Sequence, residues 1–218
     1  MAQKPLADRM RPTRFDEVAG QAHLVGKNGV LRRLTDNQRI PNMIFYGPPG
    51  TGKTTLANII AKSTDMQLFK LNATTASISD IKEVISGTNS LMASSGTLLY
   101  LDEIQYFNRK QQQSLLEFIE NGKITLIAST TENPYYYVYD AILSRCSVFE
   151  FKSTTPEDCL PSLRRALKSL NEEFSTNKTA EDSLLLALAE SSGGDVRMAI
   201  NILENCYYVS GEELREDD

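Results

Sequence analysis

Short apolar runs alternate with amphipathic segments along most of this 218-residue chain. The runs that predict strands are PNMIFYG, LFKLNA, TLLYLDE, KITLIAST and VFEF. Between them, segments such as KTTLANIIAKS repeat apolar residues at helical spacing, with Leu56, Ile59 and Ile60 on one stripe. Strands separated by helices are typical of a parallel sheet that is covered on both faces. The pattern therefore predicts an α/β domain with a five-stranded parallel sheet over residues 1–152.

The pattern changes after Lys152. The segment TTPEDCLPSLRRALKSLNEEF begins with Thr155 as a predicted N-cap and Pro156 at the first helical position. Two more helical patterns follow, TAEDSLLLALAESS and DVRMAINILENCYYV, and no strand pattern remains. We therefore expect a small all-α domain over residues 153–210. The acidic residues 211–218 have no core of their own and are predicted to be a truncated linker.

Composition and charge narrow the classes of function. A hydrophobic content of 41% and a net charge of −5 are ordinary for a soluble globular protein, and they leave no broad basic face for nucleic acid. Any contact with DNA must then be local. No apolar run is long enough for a membrane span, and the first residues lack the apolar centre of a signal peptide. We expect a cytoplasmic protein whose Cys146, Cys159 and Cys206 are reduced thiols.

The stretch GPPGTGKT, residues 47–54, carries the clearest chemistry. It matches the pattern GxxxxGK[ST] and lies between a predicted strand and a predicted helix, which is the context that a phosphate-binding P-loop requires. Backbone N–H groups and the start of the helix would hold the phosphates of ATP, and Lys53 would reach the β- and γ-phosphates. The residues predicted to bind nucleotide here are Gly47, Pro48, Pro49, Gly50, Thr51, Gly52, Lys53, Thr54 and Thr55.

A second motif, LLYLDE, supplies two acids at the end of an apolar strand. Carboxylates at the carboxyl edge of a parallel sheet lie where ligands bind in this architecture. We expect Thr54 to hold Mg²⁺ and Asp102 to bind the same ion through water. Glu103 would polarise the attacking water, since phosphoryl transfer needs positioned groups and neutralised charge more than covalent chemistry.

With both motifs in place, the chain resembles the AAA+ ATPases and, more closely, the replication-associated recombination protein A family, which includes the eukaryotic Werner-interacting ATPase. The resemblance covers the whole chain. Its most specific part is QQSLLEFIENGKITLIASTTENP, and the other parts are LADRMRPTRFDEVAGQAHLVG, LSRC and GGDVRMAINILE. It implies an AAA+ sheet domain followed by an all-α lid.

The resemblance also implies roles for individual residues. Thr131 matches sensor 1, with Asn133 as a weaker candidate, and Asn72 matches the residue that can hold the catalytic glutamate away. Arg145 matches the arginine finger, and Arg197 matches sensor 2 in the lid. The N-terminal segment of the family folds over the adenine, which would place Arg11, Pro12 and Val18 at the base. Thr131 and Asn72 also have a purely structural explanation, because threonine or asparagine at the end of a strand often forms hydrogen bonds with backbone groups.

Two of these arginines have a physical argument of their own. If Asp195 caps the last helix, Arg197 falls in its first turn, where the helix dipole disfavours a cation, and a nearby phosphate would remove that conflict. In this fold, the strand that follows Arg145 lies at the edge of the sheet. We therefore expect Arg145 to enter the ATP site of an adjacent subunit.

The resemblance implies a DNA-dependent ATPase that acts in replication-fork maintenance and recombination and hydrolyses ATP at subunit interfaces. The alternatives are a clamp-loader subunit and a nucleotide-gated binding module without turnover. Relatives oligomerise through a further C-terminal region that this chain lacks, and their setting is the bacterial cytoplasm and nucleoid. The expected partners are single-stranded or forked DNA, further copies of the chain, and single-strand binding protein or replisome components, with no membrane partner.

The sequence also contains candidate DNA contacts and two local features with more than one interpretation. DNA contacts are assigned to Lys82, Arg109 and Lys110, whose helices begin near the sheet edge that faces the centre of a ring in related motors. Gln105 and Tyr106 replace a His-Arg pair that is usual in the family, which puts the role of those positions in doubt. The aromatic stretch NPYYYVYD, residues 133–140, would either stack on bases or be a loop that is partly packed on the sheet or covered by a neighbouring subunit.

Overall fold

The structure is a computed structural model that describes residues 4–87 and 96–215. The last three residues of the predicted linker, 216–218, lie outside this range. The strands are β1 (Met43–Tyr46), β2 (Gln67–Asn72), β3 (Thr97–Asp102), β4 (Thr125–Thr130) and β5 (Ser147–Glu150). The helices are α1 (Leu6–Arg9), α2 (Ala22–Val25), α3 (Val30–Asp36), α4 (Lys53–Ser63), α5 (Ile78–Gly87), α6 (Arg109–Glu120), α7 (Pro134–Tyr137), α8 (Asp140–Leu143), α9 (Pro156–Phe174), α10 (Asp182–Ser191) and α11 (Val196–Val209). None of these helices is long and apolar enough to cross a membrane.

The chain forms two compact units. The sheet unit contains residues 22–48 and 53–151, and the helical unit contains the described residues up to Gln21, the segment Pro49–Gly52 and the chain from Lys152 onward. In the sheet unit all strand pairs are parallel, and the strand order is β2-β3-β4-β1-β5. The predicted five-stranded parallel sheet with covering helices is confirmed.

The apolar runs explain which strands lie inside the sheet. All residues of β3 except Asp102 are buried, and β4 is buried from its second residue onward. The edge strands β2 and β5 contain no buried residue, and both expose their first and last residues. An apolar core that includes side chains of β1, β3, β4, α5 and α6 lies against one face. Because β3 lies inside the sheet, between β2 and β4, its polar end places Asp102 and Glu103 at an interior position of the carboxyl edge.

The start of helix α6 is fixed by a capping motif that is contained in the local sequence. Asn108 is its N-cap and accepts a hydrogen bond from Gln111 N, while the Gln111 side chain accepts one from Asn108 N, which forms a capping box. Leu115, Phe118 and Ile119 are buried on the inner face of the helix. The helix therefore begins just after β3 and crosses the sheet with a fixed face towards the core.

The helical unit has its own apolar core. Leu163, Ala166 and Leu170 of α9 pack with side chains of α10 and α11. Leu6 and Ala7 of α1 are buried in the same cluster. The sequence pattern groups the N-terminal residues with the sheet, but their apolar side chains pack on the helices after Lys152, and this contact could not be read from local periodicity.

The start of α9 provides a test of the predicted cap. Thr155 Oγ1 accepts a hydrogen bond from Asp158 N at 3.2 Å, and Asp158 Oδ2 accepts one from Thr155 N at 3.0 Å. Thr155→Ala leaves the N–H of Asp158 without this partner, so we expect a loss of about 1 kcal/mol in the free energy of unfolding. Urea unfolding followed by circular dichroism measures it. Thr155→Ser keeps the hydroxyl and is the matched control; equal midpoints for the two variants would contradict the cap.

Candidate functional site

The P-loop joins β1 to α4, at the carboxyl edge of the sheet. Gly47 begins it with φ of +141°, and a Cβ at this position would lie 2.1 Å from the carbonyl oxygen of Phe151. Only glycine fits such a turn without moving the backbone. The loop ends at Lys53, the first residue of α4. The backbone of the loop therefore leads directly into the N-terminus of an 11-residue helix, which favours an anion there.

Lys53 is held inside the curve of this loop. Its side chain is only 9% exposed, and Nζ donates hydrogen bonds of 2.7 Å to the carbonyl oxygens of both Gly47 and Pro48. A buried ammonium needs several oxygen partners because it loses its hydration shell. These contacts hold the positive charge at the turn of the loop, where the phosphates of a nucleotide would approach.

Thr54 and Asp102 converge on one hydroxyl group. The OH of Tyr100 lies 2.9 Å from Thr54 Oγ1 and 3.2 Å from Asp102 Oδ1. It also lies 2.9 Å from Ser129 Oγ, and Ser129 in turn donates to Asp102 Oδ1. A residue on the helix after the P-loop is thereby linked to the acid at the end of β3. The two residues predicted to hold a metal ion are therefore linked through a single hydroxyl group.

These oxygens fit Mg²⁺. Magnesium prefers oxygen ligands, keeps several waters and usually takes one or two protein groups together with substrate phosphates. Thr54 and Asp102 supply a hydroxyl and a carboxylate at neighbouring positions. Among the described residues, no group of three or more His, Cys, Asp or Glu side chains could hold a metal by itself. A site completed by the phosphates of a nucleotide agrees with both observations.

Sequence reasoning did not identify Tyr100 and Ser129. Tyr100 is 2% exposed and Ser129 is fully buried. Burial, and to a lesser degree the negative charge of Asp102, raise the pKa of Tyr100 well above its usual value, so its hydroxyl keeps its proton at physiological pH. A tyrosine in an otherwise aliphatic strand, TLLYLD, was the available signal. Its hydroxyl group needs polar partners in the core, and these include Thr54 and Asp102, the two candidate metal ligands.

Glu103 adopts an uncommon backbone conformation at the end of β3. Its φ of 56° and ψ of 48° are left-handed, which for a residue with a side chain costs about 1–3 kcal/mol and is often found at functional sites. Gln105 Nε2 donates to Glu103 Oε2 at 2.6 Å, and Gln105 Oε1 is buried with no hydrogen-bond partner among the described residues. The side chain of Gln105, a position where the family resemblance gave no role, thus holds the carboxylate of the predicted catalytic acid.

Arg145 lies at the opposite edge of the sheet from its own P-loop. It comes two residues before β5, and β5 pairs in parallel with β1 so that Ser147 is level with Met43. Gly47 follows the far end of β1, roughly 13 Å further along the strand direction. Arg145 NH2 pairs with Glu120 at 2.7 Å, and NH1 donates to Ala141 O at 2.9 Å. The guanidinium therefore remains at the C-terminal end of α6, away from Lys53.

Cys146, the residue after Arg145, carries no charge that would compete with Glu120 for the guanidinium. Burial raises the pKa of the Cys146 thiol to about 12, so it is uncharged at neutral pH. Among the described residues, Cys146, Cys159 and Cys206 form no disulfide bond.

In the helical unit, the predicted cap of the last helix is present. Asp195 Oδ1 accepts hydrogen bonds from Arg197 N at 2.9 Å and Met198 N at 3.1 Å. Arg197 is exposed and lies in the first turn of α11, as the sequence argument required. Within the same unit, Gly50 is so close to Asp195 that a Cβ on it would lie 2.2 Å from the carboxyl carbon. The cap of α11 is therefore packed against the glycine-rich part of the P-loop.

The adenine candidates lie in the same unit. Arg11 donates to Asp8 Oδ1 from Nε and NH2, at 2.9 and 2.6 Å, and this hydrogen bonding lowers the pKa of Asp8. Pro12 is the next residue, and Val18 ends a short 3₁₀ turn. A Cβ on Gly52 would lie 3.9 Å from Val18 Cγ1. Val18 is thus placed beside the P-loop.

Comparisons with known proteins agree with this geometry. The family model "ATPase family associated with various cellular activities (AAA)" matches residues 43–154. The chain belongs to this family of ATPases. It is 40% identical over 202 residues, 92% of its length, to replication-associated recombination protein A of Haemophilus influenzae, and 40% identical over 202 residues to the protein of that name from Bacillus subtilis. It is 38% identical over 210 residues, 96% of its length, to ATPase WRNIP1 of Dictyostelium discoideum. The predicted resemblance is confirmed.

The AAA fold is also found in solved structures. The Holliday junction branch migration motor RuvB of Thermotoga maritima aligns with a TM-score of 0.78 over 95% of this chain and 70% of that one, at 22% identity. A likeness at this identity concerns the fold alone. The chain spans 45%, 24% and 47% of the lengths of its relatives from Haemophilus, Dictyostelium and Bacillus, respectively.

Other residues assigned by the AAA+ resemblance make local contacts. Asn72 ends β2 level with Asp102, and its Oδ1 accepts from Thr74 N at 2.8 Å and from the Thr74 hydroxyl at 2.6 Å. These bonds form a turn, and the hydrogen bond to Glu103 comes from Gln105 instead. A role for Asn72 in holding the catalytic acid stays a prediction.

Thr131 is exposed immediately after β4, the strand beside β3. This position at the carboxyl edge is compatible with sensor 1, which also stays a prediction. Asn133 caps α7 and accepts from Tyr135 N at 3.0 Å. Its side chain has a local role that accounts for an asparagine at that position.

The three candidate DNA contacts are exposed. Lys82 is on α5, and Arg109 and Lys110 are in the first turn of α6. Because β2 and β3 are neighbours, the two helices that follow them start from the same end of the sheet. The aromatic stretch 133–140 packs beside the start of α6 and lines a shared groove with Arg109.

Proposed function

We propose that this chain hydrolyses ATP with Mg²⁺ and that it does so at interfaces between subunits of a DNA-dependent ATPase of the replication-associated recombination protein A type. The observation that carries the nucleotide part is the convergence of Thr54 and Asp102 on the Tyr100 hydroxyl, next to a P-loop that holds Lys53 by two carbonyl oxygens. The similarity to relatives named for replication-associated recombination supports the DNA-dependent part.

Each group has a defined role in this proposal. The P-loop N–H groups and Lys53 bind the phosphates, while Thr54 and Asp102 hold the magnesium ion, Asp102 through water. The ion neutralises charge on the phosphate oxygens when bound. Glu103 orients the attacking water and accepts its proton as the water oxygen bonds to the γ-phosphorus, while the bond from that phosphorus to the β–γ bridging oxygen breaks and ADP leaves.

The separation of Arg145 from its own P-loop supports hydrolysis between subunits. An arginine at the amino edge of the sheet cannot serve the nucleotide at the carboxyl edge of the same chain. It can serve the P-loop of an adjacent subunit, where a guanidinium stabilises the charge of the transition state. A site of this kind requires at least two copies, so turnover per subunit is expected to rise with protein concentration.

Lys53→Ala is expected to weaken ATP binding by about a hundredfold, because a hydrogen bond to a charged group contributes up to about 3 kcal/mol. Titration calorimetry with a non-hydrolysable ATP analogue and Mg²⁺ measures this change. Lys62→Ala removes an exposed lysine from the far end of the same helix and is the matched control. If both variants bind the analogue like the wild type, the P-loop does not hold the phosphates as proposed.

DNA dependence is tested by ATP turnover with single-stranded DNA, duplex ends and forked DNA. The proposal expects turnover to rise with at least one of them at low salt, and to lose the increase as salt is raised, because binding to phosphates releases counterions and is therefore opposed by salt. Equal turnover with and without every DNA would overturn the DNA-dependent part while leaving the ATPase part standing.

A further inference from the structure

Three consecutive tyrosines on α7 are exposed to solvent. Tyr135, Tyr136 and Tyr137 are 63%, 84% and 51% exposed, whereas Pro134 and Val138 on either side of them are buried. The segment is therefore only partly packed, with Val138 in the core cluster and the three rings outside it. Large exposed aromatic side chains clustered on one surface are a mark of a binding site.

A buried glutamine keeps the segment in one conformation. Gln112 of α6 is 3% exposed, and its Nε2 donates to Phe107 O at 2.9 Å and to Tyr137 O at 3.1 Å. Its Oε1 accepts from Tyr139 N at 2.8 Å. One side chain thus links the main chain before α6 to the main chain on both sides of Val138. The main chain that carries the rings is held in place before any ligand binds, which lowers the entropy that binding must lose.

Cations border the rings on one side. The Arg109 guanidinium lies over the ring of Tyr139, 4.9 Å from its centre, and Lys110 follows in the same turn of α6. The first turn of this helix contains no acid, although the dipole there favours a negative charge. Between Arg109 and the aromatic segment lies a groove of about 280 Å³, and Asp140 is the acid in its lining. The groove thus combines ring faces with an arginine.

We propose that the tyrosine surface, formed by Tyr135, Tyr136 and Tyr137 with Arg109 and Lys110, binds single-stranded nucleic acid. Bases stack on the tyrosine rings, and the phosphates between them meet the two cations. Every base has a π-face, so such stacking tolerates any sequence. This inference rests on the proposed DNA-dependent function and names the residues that contact the strand.

The geometry favours a flexible strand over a second protein. Successive residues of a helical turn point about 100° apart, so three consecutive tyrosines form a fan, whereas residues that share one helix face are three or four positions apart. A fan offers each ring to a separate base. Two copies of this surface placed against each other would also bring Arg109 and Lys110 towards their own counterparts, which is unfavourable.

The tyrosine surface is also distant from the arginine proposed to face a neighbouring subunit. Arg109 begins α6 and Glu120, the partner of Arg145, ends it. Eleven helical steps separate them, roughly 17 Å. A subunit that contacts Arg145 at one end of the helix therefore leaves the tyrosines at the other end available to a strand.

The test measures binding of this chain to fluorescein-labelled oligothymidylate of about 20 nucleotides, over a series of salt concentrations. Tyr136→Ala is expected to weaken binding about tenfold without changing the salt dependence, because it removes stacking and no charge. Tyr136→Phe keeps the ring and should bind within about twofold of the wild type. Arg109→Gln should weaken binding and reduce the slope of log affinity against log salt by about 0.7.

Tyrosine emission supplies a readout that a structural defect would not mimic. The chain contains nine tyrosines and no tryptophan, so stacked bases should quench emission from the tyrosine surface directly. Tyr136→Ala should reduce the quenched fraction. Tyr208→Ala, which removes a ring that is 57% exposed on α11, is the matched control and should leave affinity for oligothymidylate unchanged.

The outcomes are distinct. If Tyr136→Ala and Arg109→Gln bind oligothymidylate like the wild type while DNA still stimulates ATP turnover, the tyrosine surface is wrong and the proposed function stands. If the wild type binds no oligothymidylate at low salt, the surface is also wrong. A dimer in sedimentation that Tyr136→Ala dissociates would assign these rings to a contact between copies instead.

Discussion

Replacing Glu103 by glutamine is expected to reduce ATP turnover by about 10²- to 10⁴-fold while leaving ATP affinity close to that of the wild type. Glutamine has the size of glutamate, so the left-handed backbone at this position and its place after β3 are kept. It cannot accept the proton of the attacking water. Phosphate release under saturating ATP and Mg²⁺ measures turnover, and calorimetry with a non-hydrolysable analogue measures affinity.

The matched control for this change is Glu117→Gln, which neutralises an exposed carboxylate on the outer face of α6. Its turnover should equal that of the wild type. Equal turnover in wild type and Glu103→Gln would show that the P-loop and the acids after β3 do not form one catalytic site. If that equal turnover is no higher than background, the chain is a module that binds nucleotide without hydrolysing it.

Arg145→Ala is expected to lower ATP turnover by on the order of 10³-fold, the contribution typical of an arginine that acts between subunits. ATP binding should be unchanged, because the guanidinium lies at the amino edge of the sheet and is paired with Glu120. The measurement is turnover at saturating ATP, at protein concentrations where subunits associate. Arg164→Ala removes another exposed arginine from an ion pair, with Asp182 in the helical unit, and should hydrolyse ATP normally.

Mixing two inactive variants identifies where Arg145 acts. Lys53→Ala subunits cannot hold nucleotide but retain Arg145, and Arg145→Ala subunits retain an intact P-loop. If Arg145 acts on a neighbour, the mixture should recover part of the activity that each variant lacks alone. Co-assembly is verified by pull-down with two different tags. Absence of recovery in co-assembled material would count against Arg145 as a residue that acts between subunits.

Local patterns in the sequence determined much of this protein. The alternation of aliphatic runs with helical stripes predicts the parallel sheet, because each element must bury an apolar face whose period is visible in the sequence. The P-loop and the acids after β3 could also be predicted. Their chemistry depends on residues that are contiguous, or that end neighbouring strands at the same edge. The caps at Thr155 and Asp195 are equally local, since each bonds to N–H groups two or three residues away.

Only the tertiary structure decided which distant side chains meet. Tyr100 reaches Thr54 and Ser129 because strand order places β4 beside β3, and no periodicity in the sequence encodes that order. Arg145 pairs with Glu120 for a similar reason, since the end of α6 and the turn before β5 are brought together by the sheet. The sequence of the stretch NPYYYVYD allowed two interpretations. The exposure of its rings depends on Gln112, a residue more than twenty positions away that forms hydrogen bonds with the main chain of the stretch. Such contacts are set by the packing of whole elements, so they become visible only when the fold is complete.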